Sequence, residues 1–212
     1  MQAIDASLPA NDGVAWFNRL YLRVTEAVQA ELARTTFADA AFLARVDVAF
    51  ANLYFAALED TKAAPRAWQP LLTCRRKRGI APLQFAFAGM NAHINYDLPL
   101  ALGTVARERG VDLLRARRQH ADFLAVNGLL ARTEAKVKRW FATGFAGIVD
   151  EALGDADDRV AMWDVGRARD AAWINGQTLW TLRAVPAVRR RYLDTLDRTV
   201  GFAGRGLLVP VV

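Results

Sequence analysis

The amino-acid sequence predicts an all-α fold: a single-domain bundle of five to seven main helices around a buried, proline-kinked central helix. Three observations carry that prediction. Apolar residues recur at helical three-to-four spacing through several long windows. Runs of alternating β-branched residues, and hairpin dipeptides between two such runs, are missing. Residues 79–106 contain one charged side chain, Asp97, in 28 positions, so the helix they form must be surrounded by protein. A length of 212 residues with 53% hydrophobic content suits one sizeable core.

The elements follow in order. Residues 1–11, "MQAIDASLPAN", read as a loose leader, and residues 12–212 as the domain. Asp12 is placed to cap a first helix to about Arg34, in which Val14, Phe17, Leu20, Tyr21, Val24 and Val28 share a face. Asp39 opens a second helix to about Asp60. Its "VDVAFANLYFAAL" is apolar enough to be mostly buried, and Asp47 there is expected to pair with Arg45 or an arginine of another helix. Residues 61–82, with Pro65, Pro70, Gly79, Pro82 and the run Arg75–Arg78, read as irregular. Pro82 starts the central helix, where its missing N–H costs nothing, and Gly110 and Asp112 end it. A fourth helix is expected over about Arg115–Ala142. Gly144, Gly147 and Gly154 break the next stretch, a fifth helix covers about Val160–Arg183, and Pro186 opens the last, to about Arg205.

Composition narrows the function classes. The net charge of +6 is spread over separate basic clusters, and no zinc-finger, RNA-recognition or helix-turn-helix pattern accompanies them, so nucleic acid is not the expected partner. A single cysteine, Cys74, and the lack of a secretory pattern point to the cytoplasm. The long apolar central segment is broken by Gln84, Asn91, His93, Asn95, Asp97 and two prolines, which argues for a core helix and against a membrane span.

Those interruptions are the candidate site. In "GMNAHINYDLP", His93 and Asp97 are four apart and share one helix face, and Asn91 and Asn95 form a second row. Pro99 has no N–H for the carbonyl of Asn95, so a bend is expected there. Three readings of the first row stand open. His93 and Asp97 are half of a divalent-metal site for zinc, iron or manganese, completed by Asp47, His120 or Asp122. Alternatively Asp97 orients His93 for acid–base catalysis, or the cluster is a satisfied network that holds the bend. Asn127 in the fourth helix and Trp173 in the fifth are further polar or aromatic candidates, the latter with Arg169 stacked on it. The functional expectation is an enzyme acting on a small molecule at this buried His/Asp/Asn site. The alternative is a non-catalytic ligand- or partner-binding module in which the cluster is scaffold.

The blocks "DGVAWFNRLYLRVTEAV", "FADAAFLARVDVAFANLYFAAL", "AGMNAHINYDL", "DFLAVNGLL" and "RARDAAWINGQTLWTLR" together resemble a family of helical bacterial proteins, common in actinobacteria and catalogued as a domain of unknown function. The resemblance runs from about residue 12 to 208 and implies one bacterial, cytoplasmic helical domain. It brings no activity to carry over. The H-x-x-x-D spacing is also similar to that of the helical zinc-dependent phospholipases C, but the chain lacks their additional histidines and N-terminal tryptophan ligand.

Overall fold

A computed structural model describes residues 1–32, 36–144 and 164–210. They fold as an all-α bundle. The helices are α1 (Gln2–Ser7), α2 (Gly13–Leu32), α3 (Ala40–Glu59), α4 (Gln69–Cys74), α5 (Pro82–Ala92), α6 (Leu98–Glu108), α7 (Arg117–Gly144), α8 (Val165–Thr181) and α9 (Pro186–Leu207). A π-helical turn, His93–Asp97, joins α5 to α6, and a short 3₁₀ turn, Leu182–Ala184, joins α8 to α9.

The caps expected from sequence form. Asp12 Oδ1 accepts the Val14 N–H at 2.9 Å, and Asp39 Oδ1 accepts the Phe42 N–H at 3.0 Å, each satisfying a donor that a helix start leaves unpaired. Asp12 is buried and also binds the Arg75 guanidinium at 2.8 Å, which fastens the basic segment to the start of α2. Asp164 caps α8 through the Arg167 N–H. The expected breaks at Gly147 and Gly154 lie outside the described residues.

Three segments differ from the sequence reading. The leader carries α1, and its Met1, Ile4 and Leu8 pack on the core, while the Met1 carbonyl accepts the Asn18 amide at 3.1 Å. The segment 61–82 contains α4 and, just before it, Trp68, which is completely buried. Finally, the central helix contains a π-turn just ahead of Pro99: the Leu98 N–H reaches back five residues to the His93 carbonyl. A π-turn accommodates the extra residue that a regular α-helix cannot, and such turns are frequent at functional sites.

The core forms two apolar clusters. One gathers Phe17, Tyr54, Trp68, Leu71 and Phe85; the other gathers Phe42, Phe50, Leu98, Leu102, Phe123 and Trp173. Tyr21 and Met90 touch both, which puts the π-turn at the seam. α3 is long and apolar enough by length and composition to cross a membrane, and it contributes Phe42, Val46, Phe50, Tyr54 and Ala57 to this core.

Gly89 makes the seam possible. A Cβ there would stand 2.3 Å from Phe17 Cγ and 2.7 Å from its Cβ, atoms too near the backbone of α2 to swing away. Gly89→Ala is expected to destabilise by about 1–3 kcal/mol, outweighing the roughly 1 kcal/mol that alanine's helix propensity returns. Gly103→Ala, with nothing within 4 Å of its added methyl, should instead gain stability. Urea unfolding of the two variants checks this, and equal effects would contradict it.

Candidate functional site

The π-turn presents the first polar row inward. His93 is 2% exposed and Asp97 is 1% exposed, and His93 Nδ1 lies 2.9 Å from Asp97 Oδ2. The same Oδ2 accepts the indole N–H of Trp68 at 3.1 Å. With the imidazole proton on Nδ1, that oxygen accepts two N–H groups and Nε2 keeps its lone pair. That Nε2 is buried and has no hydrogen-bond partner.

Aromatic rings enclose the imidazole. Phe50 stacks on it at 3.5 Å between centroids and 8° between planes, and Tyr21 meets it edge-on at 4.8 Å. Phe17, Tyr54 and Trp68 stand around it at 5.8–5.9 Å. In this apolar setting the charged forms lose their hydration. Burial holds the His93 imidazole well below the ordinary histidine range, so it is neutral at pH 7. Burial likewise raises the Asp97 carboxyl well above the carboxylate range, opposed by the Trp68 N–H and reinforced by Asp197. Burial raises the Tyr21 and Tyr54 hydroxyls too.

His93 forms part of the wall of a cavity of about 350 Å³. α2 supplies Phe17, Leu20, Tyr21 and Val24; α3 supplies Asp47 and Phe50; α5 supplies Leu83, Phe87 and Met90. Ile94 of the π-turn, Val126 and Leu130 of α7 and Val165 of α8 complete an almost wholly apolar enclosure, with Thr25, Gln29, Asp47 and His93 as its polar contributors besides the Tyr21 hydroxyl. The volume and chemistry match small-molecule pockets, which are mostly apolar with a few placed polar groups.

The second row holds backbone. The Asn91 amide donates to the Val200 carbonyl of α9 at 2.9 Å, and the Asn95 amide donates to Asn91 Oδ1 at 3.1 Å.

The other sequence candidates separate. Asp122 is buried and accepts the Ala38 and Asp39 N–H groups at 3.0 and 2.7 Å, so it fixes the turn ahead of α3. His120 is half-buried and stacks on Trp173 at 4.6 Å. Among the described residues no three His, Cys, Asp or Glu side chains converge as a metal ion requires. The set His93, Asp97, Asp47, His120 and Asp122 is therefore not brought together, because two of its members are engaged on the α3–α7 and α7–α8 contacts.

Arg169 does not stack on Trp173. Its guanidinium lies over Phe123 at 4.2 Å and its Nε donates to Asn127 Oδ1 at 2.5 Å, while the Asn127 amide donates to Asp170. Burial lowers Arg169 to about 10. Arg45 pairs with Glu108 at 2.8 Å instead of with Asp47, and Asp47 opens onto the cavity.

Sequence reasoning missed Trp68 and the aromatic enclosure. Trp68 lies 29 positions from Asp97, in a segment with no periodicity, and nothing local marks it as a partner.

The chain belongs to the family of unknown function DUF5995, whose family model matches residues 1–210. No curated protein and no solved structure matches it.

Proposed function

We propose that this protein binds a small, mostly apolar molecule in the cavity at the π-turn, and that the molecule donates a hydrogen bond to His93 Nε2. The observation that supports this most directly is the unpartnered, buried Nε2 on a ring that forms part of the cavity wall. A buried polar atom without a partner costs about 1–3 kcal/mol, a cost that a ligand O–H or N–H removes. Asp97 and Trp68 hold the ring in one orientation, and a small side-chain movement in the wall around the buried Nε2 admits the ligand's donor.

The test compares n-octanol with its methyl ether, which has the same apolar body and no donor. Isothermal titration should give tighter binding of the alcohol to the wild-type chain. In His93→Phe the two should bind alike. No binding of either compound, or an alcohol preference that survives in His93→Phe, would count against this reading.

A second reading rests on the same pair. A carboxylate-oriented, neutral imidazole with a free Nε2 is the arrangement of a general base, and it would serve proton abstraction from a ligand held against the apolar walls. Its distinguishing sign is a turnover lost in both His93→Gln and Asp97→Asn while ligand binding persists in the latter.

A further inference from the structure

The cavity follows one face of α2. Wall residues recur at every turn of that helix, from Phe17 through Leu20, Val24 and Val28 to Gln29. The steps from Phe17 to Gln29 advance about 18 Å along the axis at the α-helical rise. That is about twice the width of a round cavity with the same volume of about 350 Å³. Burial grades along the same line. Gln29 is exposed, Val28 and Val24 are half-buried, and Leu20 and Phe17 are buried. The cavity is therefore a channel with its mouth beside Gln29 and its closed end at Phe17, whose ring meets His93 at 5.8 Å.

Spread over that length, the volume gives a mean cross-section of about 20 Å², or about 5 Å across. One extended hydrocarbon chain fills such a section, since packed carbons stand about 4 Å apart. A ring system of similar carbon count is too wide for it. An extended chain advances about 1.2 Å per bond, so the channel has room for about fifteen bonds. Its walls suit a chain throughout. Val24 and Leu83 both pack against the buried pair Leu20 and Ala86, which puts them at one level of the channel, about 10 Å along α2 from Phe17. The polar His93 stands at the closed end and Gln29 at the mouth.

We infer that the ligand is an unbranched aliphatic chain of about twelve to fifteen carbons, lying along α2 with a hydroxyl at its leading end against His93. This rests on the small-molecule reading of the cavity and adds the shape and length of the ligand's apolar body. The two ends of the channel then have separate roles. His93 accepts the hydroxyl at the bottom, and the walls at Val24 and Leu83 admit a chain only one carbon thick.

The experiment titrates the full chain with n-hexanol, n-octanol, n-decanol, n-dodecanol and cyclododecanol. Each added pair of methylenes should tighten binding about ten-fold, through dodecanol. Cyclododecanol, with the same carbon count in a ring, should bind at least about ten-fold more weakly than n-dodecanol. Val24→Trp and Leu83→Trp each block the channel at the level that a chain of about eight carbons reaches. In both variants hexanol and octanol should bind as in the wild type, and decanol and dodecanol should gain nothing over octanol. If wild-type affinity levels off at octanol, or cyclododecanol matches n-dodecanol, the inference fails while the cavity reading stands. If dodecanol keeps its advantage in both variants, the chain does not lie along α2 and the inference fails. If no alcohol binds the wild-type chain, both readings fall together.

Discussion

Trp68→Ala is expected to remove about 3–5 kcal/mol of stability, the range for deleting a large buried aromatic. The residue is completely buried and stacks on Tyr54 at 5.5 Å, meets Phe17 at 5.4 Å and approaches His93 at 5.8 Å. Its indole is also a donor to Asp97, so truncation opens a void and takes a hydrogen bond from a buried carboxyl at once. Trp68→Phe separates the two effects. It keeps most of the apolar surface and loses the N–H, and its cost should approach the roughly 1–3 kcal/mol of an acceptor left short of a partner. Equilibrium urea unfolding measures both. A Trp68→Ala loss below about 1 kcal/mol, in the range of ordinary surface substitutions, would mean that the segment before α4 is not a structural wedge.

The pH dependence of the His93–Asp97 pair is the second large effect, and its sign differs between the partners. Burial lowers His93 in the folded state. Below the unfolded histidine value of about 6.5 the unfolded chain takes a proton that the folded chain refuses, so His93 costs stability as the pH falls. Burial raises Asp97 in the folded state. Above the unfolded aspartate value of about 3.9 the unfolded chain gives up a proton that the folded chain keeps, so Asp97 costs stability as the pH rises toward its folded value. Between about pH 4 and 6.5 the two slopes oppose each other. Relative to wild type, Asp97→Asn should therefore gain stability as the pH rises through this window, and His93→Phe should lose it. Each difference slope is bounded by about 1.4 kcal/mol per pH unit. Asp97→Asn also keeps an oxygen for the Trp68 and His93 donors, so its fold should be retained. Unfolding curves at several pH values would sink this account if either variant ran parallel to the wild type.

Much of the site could be read before the structure. The four-residue spacing of His93 to Asp97 and of Asn91 to Asn95 is a property of one helix, and both pairs are hydrogen-bonded as that spacing implies. The caps at Asp12 and Asp39 were legible for the same reason, because a cap depends on two or three neighbouring residues. The division of labour between the rows was not local. Asn91 holds α9 through Val200, more than a hundred residues downstream, and Asp97 holds Trp68 across a segment that carries no periodic signal.

The sequence by itself determined the long helices, the surrounded character of the central one and the two polar rows on it. Each follows from periodicity and from side chains a few positions apart, where chain geometry leaves little choice. Only the tertiary structure decided what those rows meet. It put five aromatic rings, Trp68 among them, around His93, drew His120 and Asp122 away into helix contacts, set a π-turn just ahead of Pro99, and left Asp47 on a cavity wall. These outcomes depend on which faces of distant helices pack together, a choice made by the burial of whole apolar surfaces and not by any local pattern of residues.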